Sequence, residues 1–243
     1  MSKIKSSGSQ GIAAPVPGGE LPAILLAGGR PRNPSAMARM MAGAFRGPRR
    51  PIAAYIGAAN GDDPLFFEMM QALLLEAGAA DVVFARLAEE NPDIDAVKKA
   101  LGGADVIFLA GGEVEEGINW LRKHGLALFL KELYGAGKRF MGVSAGVIMM
   151  GRHWLRWDNP DDDDTAKLFD CLGIIPAIFD VHGEDEDWAE LKAALKLMGE
   201  GSRGYALPRE CVISADSRGN LVNLSKKYIV FINEGGAIKR SPQ

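Results

Sequence analysis

Arg139-Phe140-Met141-Gly142-Val143-Ser144-Ala145-Gly146 runs directly into Val147-Ile148-Met149-Met150. An apolar run that closes on a glycine-flanked serine and resumes as a second apolar segment reads as strand, tight turn and helix. Small neighbours let the backbone at such a junction adopt strained dihedrals and push the hydroxyl into the open. Ser144 is therefore a candidate nucleophile, and the chemistry it suggests is hydrolytic.

Upstream of this junction the same alternation recurs. Pro22 to Ala27, Pro51 to Gly57, Ala80 to Ala85 and Asp105 to Ala110 are short apolar runs that read, with Arg139 to Val143, as strands. Ala36 to Phe45, Pro64 to Ala77, Ile94 to Leu101, Glu115 to Lys123 and Leu126 to Tyr134 carry helix formers with apolar residues three and four apart. Nearly all-apolar strands, each followed by a helix, need cover on both faces. The expected fold class is α/β: a single doubly wound, mainly parallel sheet flanked by helices. Beyond Asp180 the pattern changes to a helix over Asp187 to Met198 and short strands over Glu210 to Ala215, Leu221 to Leu224 and Tyr228 to Ile232, with a Ser217-Arg218-Gly219-Asn220 turn. These strands read as an antiparallel meander at the sheet's edge, with no second core. Met1 to Glu20, rich in Ser, Gly and Pro, reads as a flexible tail, and 21–240 as one domain.

Composition narrows the function classes. The 243 residues are 47% hydrophobic and 24% charged with a net charge of -3, ordinary values for a globular domain that needs no disulfide or metal staple. Cys171 and Cys211 lie too far apart to suggest a zinc site or disulfide framework, which makes a reduced, cytoplasmic setting the expectation. The mild negative charge offers no field for nucleic acid, and no apolar run reaches the roughly 18 residues of a membrane span. A small peptide is the expected partner, no cofactor is required, and a homodimer is left open.

In a parallel sheet ligands collect at the carboxyl ends of the strands, which is where Ser144 would sit. Ala110-Gly111-Gly112 closes the strand one βα unit earlier. If the two strands are neighbours, the amides of Gly112 and Ala145 can both donate to an oxyanion. A serine nucleophile also needs a base, and there are three histidines. His124 reads as a helix C-terminal residue and His153 as a packing residue beside Trp154. His182 follows the apolar run Ile174 to Phe179, which itself reads as a strand, and lies 38 residues after Ser144. Its imidazole titrates near neutrality, which suits proton transfer to and from a hydroxyl.

Phe108-Leu109-Ala110-Gly111-Gly112, then Gly142-Val143-Ser144-Ala145-Gly146, then Leu172-Gly173-Ile174-Ile175 leading to Asp180-Val181-His182, resembles the dipeptidase E and cyanophycinase family of serine peptidases. The resemblance runs from about Leu21 to the C-terminal strands. It implies a fold like that of the class I glutamine amidotransferases, with serine in place of their cysteine, and an exopeptidase or omega-type peptidase acting on aspartyl or other unusual peptide bonds. On that resemblance Ser144 takes the nucleophile's place, His182 the base's, and Gly112 and Ala145 those of the oxyanion donors.

An acid is needed to orient the histidine, and three carboxylates compete for that place. Glu184 follows His182 at the His-x-Glu spacing of the amidotransferases. Asp158 lies in the loop where dipeptidase E-like sequences place an aspartate. Glu210 ends Gly204-Tyr205-Ala206-Leu207-Pro208-Arg209-Glu210, where the family reads Gly-Ile-Gly-Ile-Asp-Glu, and it aligns with an acid only after a one-residue shift. Asp161 to Asp164 read as a solvated loop, with an acidic rim for cationic peptides as the alternative. Arg152, Arg156 and Arg209 are the cations available to a substrate carboxylate. The leading expectation is a Ser-His-acid peptidase. The alternative is a non-catalytic binding or regulatory protein on the same scaffold; an α/β-hydrolase esterase is less well matched, because no His-Gly-Gly-Gly loop is present.

Overall fold

The computed structural model describes residues 21–29, 33–159 and 162–241, so the tail expected over Met1 to Glu20 lies outside the described residues. Among these the strands are, in chain order, β1 (Ile24–Ala27), β2 (Ile52–Ile56), β3 (Asp81–Phe84), β4 (Val106–Leu109), β5 (Arg139–Val143), β6 (His153–Trp157), β7 (Ala166–Asp170), β8 (Ile178–Val181), β9 (Arg203–Leu207), β10 (Val212–Ala215), β11 (Leu221–Asn223), β12 (Ile229–Glu234) and β13 (Ala237–Ser241). The helices are α1 (Pro34–Met41), α2 (Pro64–Ala77), α3 (Ile94–Gly103), α4 (Val114–Lys123), α5 (Leu126–Gly135), α6 (Ala145–Met150) and α7 (Ala189–Met198).

The main sheet has the order β11-β10-β1-β5-β4-β2-β3. Strands β1 to β5 are mutually parallel, and β10 and β11 complete one edge antiparallel. Alternation along each strand divides the core in two. Ile24, Leu26, Ala54, Ile56, Ile107, Leu109 and Phe140 join one buried cluster with residues of α3, α4, α5 and α6. Leu25, Ala27, Ala53, Tyr55, Val106, Phe108, Met141 and Val143 join the other, under α1 and α2. Successive side chains on a strand point to opposite faces, so strands covered twice must be apolar throughout. Local signals fix the helix ends: the Asp63 carboxylate accepts the Phe66 amide ahead of Pro64 in α2, and Gly78 closes that helix in the left-handed region.

The antiparallel C-terminal strands are found, β10 and β11 at the sheet's edge as expected, but β12 leaves them for a second sheet. β10 pairs with β1 and is buried on both faces, whereas β12 pairs with β9 and β13 in a separate sheet of order β13-β12-β9-β8. That sheet and α7 enclose a further small core of Ile178, Trp188, Leu191, Leu195, Ala206 and Phe231, which the sequence reading had not separated. The segment after α6 forms the hairpin β6–β7, which His153 opens. The hairpin's two five-residue strands are mostly half-exposed and show no clean alternation, so the sequence pattern carries little strand signal there.

Candidate active site

β5 lies at the middle of the main sheet between β1 and β4, and the chain turns sharply at its end. Ser144 carries φ 53° and ψ -122°, a backbone that a residue with a β-carbon adopts only under strain. Its amide donates to Ala27 O at 3.0 Å, and α6 begins at the next residue. The hydroxyl is thereby held above the carboxyl end of the sheet. His182 follows β8, where the backbone is again left-handed (φ 44°) and the amide donates to Leu207 O at 3.0 Å. Two strained turns from different sheets face each other, with 2.9 Å between Ser144 Oγ and His182 Nε2.

β4 is the direct neighbour of β5, with Leu109 opposite Gly142, so the Gly111-Gly112 turn rises beside Ser144. A β-carbon on Gly111 would stand 3.1 Å from that of Ser144. Gly112 adopts φ 142° and is pressed so closely on Ala59 that a β-carbon would lie 1.9 Å from the Ala59 oxygen. Only glycine fits there. Gly112 and Ala145 both line the cleft that contains Ser144 and His182. The Ala145 amide belongs to the first turn of α6, where helix geometry leaves amides without a carbonyl partner.

The three carboxylates considered as orienting acids are distributed otherwise. Glu184 begins a short 3-10 turn and its Oε1 accepts the Arg209 amide at 2.6 Å. Asp158 lies beyond β6, where Arg156 (3.0 Å) and Lys167 engage it and hold its pKa below the ordinary carboxylate value, Lys167 contributing most. Glu210 is in the left-handed region and pairs with Lys226 at 2.7 Å. Among the described residues none of the three hydrogen-bonds to the His182 ring, because each is drawn to a nearby cation or amide. Of the run Asp161 to Asp164, Asp161 lies outside the described residues. Trp154 lines the cleft; Arg156 instead pairs with Glu115 at 3.1 Å.

The cleft has a volume of about 360 Å³ and is lined by acids outside the Asp161 to Asp164 run that the sequence offered as an acidic rim. Glu113, Asp180, Asp185, Glu186 and Glu190 line it, and among its described lining residues Arg209 is the only Lys or Arg. Arg209 is engaged by Asp185 at 3.3 Å. Asp180 is a β8 residue only 8% exposed, and Glu190 accepts from Trp154 Nε1 at 3.2 Å. A smaller pocket of about 210 Å³, which shares Gly112, Ser144 and His182 with the cleft, is walled by Phe66, Met70 and Val143. Among the described residues no group of three or more His, Cys, Asp and Glu is arranged to hold a metal, and no helix is long and apolar enough to cross a membrane.

The family model for peptidase family S51 matches residues 23–222 of this chain, from just before β1 to β11, and so takes in every element that builds the cleft. The chain belongs to peptidase family S51. Among curated proteins it is 31% identical over 85 residues to a peptidase E of Shewanella denitrificans, covering 35% of this chain and 36% of that protein. It is also 33% identical over 110 residues to a cobyric acid synthase of Frankia casuarinae, covering 45% of this chain and 18% of that one. The chain thus spans well under half the length of either relative. Two solved structures share the fold at 16% identity. A peptidase from an acI-B1 Actinobacterium has a TM-score of 0.66 over 91% of this chain and 94% of its own. A candidate peptidase E from Listeria monocytogenes EGD-e has 0.59 over 84% and 98%. The α/β architecture and the serine-peptidase family expected from the sequence are those found.

In this S51 chain the cleft's buried acid has a consequence for stability. Burial, followed by the charge of Glu190, pushes Asp180 up to about 7 from an ordinary 3.8. Between those values the unfolded chain has released the proton and the folded chain retains it, so stability falls as pH rises through that window. A shift of this size corresponds to about 4 kcal/mol at most. Asp180→Asn keeps an oxygen for the Val181 amide, which the native carboxylate accepts at 2.7 Å. Thermal unfolding from pH 4 to pH 8 should therefore show the wild type losing Tm relative to Asp180→Asn. Parallel Tm curves would remove Asp180 as the source.

Proposed function

We propose that this S51 member is a serine hydrolase of short peptides that works through an acyl-enzyme, with Ser144 as nucleophile and His182 as base. The 2.9 Å approach of Ser144 Oγ to His182 Nε2 carries the reading. Nε2 takes the hydroxyl proton as Oγ attacks the peptide carbonyl, then delivers it to the departing amine. The negative oxygen that forms is received by the amides of Gly112 and Ala145, which are fixed before the reaction and cost little to reorganise. Water repeats the cycle on the ester and releases the acid product. The substrate is one that brings positive charge, a free amino terminus or a basic side chain, because Glu113, Asp185, Glu186 and Glu190 line the larger cleft together with the buried Asp180, against one already engaged arginine. The pocket beside Phe66 and Met70 takes an apolar group across the scissile bond.

A second reading, a binding protein on the peptidase scaffold, is favoured by one observation: among the described residues no carboxylate holds His182, and a histidine without that partner loses its fixed tautomer. A fluorophosphonate probe separates the two. Hydrolysis requires stoichiometric labelling of Ser144 at neutral pH, followed by higher kcat/KM for Lys- or Arg-containing dipeptides than for Asp-containing ones. An unlabelled, folded protein supports the binding reading. Labelling with equal rates on basic and acidic peptides would leave the hydrolase standing and remove the substrate assignment.

A further inference from the structure

We propose that Asn60 is a positioning residue that decides which way the Gly111–Gly112 peptide faces, and so whether the site presents a donor to the oxyanion. The inference rests on the hydrolytic reading of Ser144. Asn60 ends the short turn Ala58–Asn60 that follows β2, the strand next to β4. Its Nδ2 donates to Gly111 O at 2.9 Å and to the Tyr55 hydroxyl at 3.2 Å, and its Oδ1 accepts the Asp63 amide at 3.2 Å. Both amide hydrogens and one oxygen lone pair are thus committed, which leaves the side chain a single orientation. Tyr55 is itself buried and stacked on Phe108, with 5.8 Å between ring centres, so the far end of the chain of bonds is anchored in the core.

A trans peptide points its carbonyl oxygen and its N–H to opposite edges of one plane. With the Gly111 oxygen tied to Asn60, the Gly112 N–H is left on the opposite edge, at a residue that lines the cleft with Ser144. The need for such a tie comes from the glycines. A plane flanked by two residues without β-carbons rotates with little steric hindrance. A flipped plane would turn a carbonyl oxygen, in place of an amide, toward the edge where negative charge develops, and replace stabilisation by repulsion. The packing of Ala59 on Gly112 and the 2.6 Å bond from the Glu113 amide to Ala59 O hold the chain after the peptide, while Asn60 holds the plane itself.

Asn60→Ala removes the donor, and Asn60→Asp keeps the shape and the Asp63 contact but sets an acceptor against Gly111 O. Both should lower kcat by roughly 10- to 100-fold, the scale of a misaligned reacting group, with KM little changed. Affinity for a peptide boronate, whose tetrahedral adduct carries the negative oxygen, should fall in step with kcat. The Gly111 carbonyl carbon resonance should move upfield in both variants as its hydrogen bond is lost. Wild-type kcat in both variants, or a rise in KM at constant kcat, would overturn the role. So would an unmoved Gly111 resonance, even in a protein that cleaves no peptide. Failure of the wild type to cleave peptides or label with the fluorophosphonate would count against the hydrolytic reading, and the carbonyl shift would still decide Asn60.

Discussion

Ser144→Ala is expected to reduce peptide hydrolysis on the order of 10⁶-fold, to the level left by binding and the oxyanion donors alone. The fold should be indifferent. The Ser144 hydroxyl makes no helix-capping bond and meets the exposed His182 ring. Alanine retains the β-carbon, so the cost of φ 53° stays the same and the urea midpoint should shift little. Ser144→Gly is the informative companion. It removes the hydroxyl and also relieves the left-handed strain, and should raise stability by about 1 kcal/mol while being equally inactive. An inactive variant that is more stable than the wild type would show that the turn is kept strained for the sake of the nucleophile. Retained hydrolysis in both variants would sink Ser144 as nucleophile; equal stability of the two would place the strain elsewhere.

The parts of this site that could be read in the sequence are those written in one contiguous stretch. Arg139 to Met150 carries its strand, turn and helix in apolar runs and glycines, and the periodic segments from Pro64 to Tyr134 predict α2 to α5 to within a few residues. The bond between Ser144 and His182 was accessible because both close apolar strands. What escaped depends on contacts between distant segments. The split of the C-terminal strands between two sheets is decided by which buried face each strand finds, and β10 and β12 look alike as short apolar runs. In the acidic cleft Glu113 follows directly on Gly112 and is legible there, but Asp180 from β8 and Glu190 from α7 reach it from up to 77 positions away. Asn60 carried no signal at all, since its partner Gly111 lies 51 residues away. The glycines around Ser144 serve as small neighbours of a strained residue. Neither Gly142 nor Gly146 has a positive φ; the strained residue is Ser144 itself.

What those glycines supply is space, and Gly146 shows how much depends on it. A β-carbon there would lie 2.2 Å from Leu109 O, 2.8 Å from Leu109 C and 3.0 Å from Ala110 O, all backbone atoms of β4 and the turn behind it. No rotamer change can relieve such a clash. Either α6 withdraws from the sheet, exposing Val147 and Met150 from the core, or the central β4–β5 pairing opens. Gly146→Ala should therefore destabilise the protein by about 4 kcal/mol or more, beyond the range of ordinary overpacking. Hydrolysis should fail with it, since α6 begins at Ala145 and sets the position of Ser144. The control is the same chemical change at Gly102, inside α3, where a β-carbon meets nothing within 4 Å. Gly102→Ala should stabilise by about 0.5–1 kcal/mol, the helical preference of alanine over glycine. Urea denaturation of both variants measures the difference. If Gly146→Ala proved no less stable than Gly102→Ala, close contact of α6 with β4 could not be what the second glycine of the motif is for.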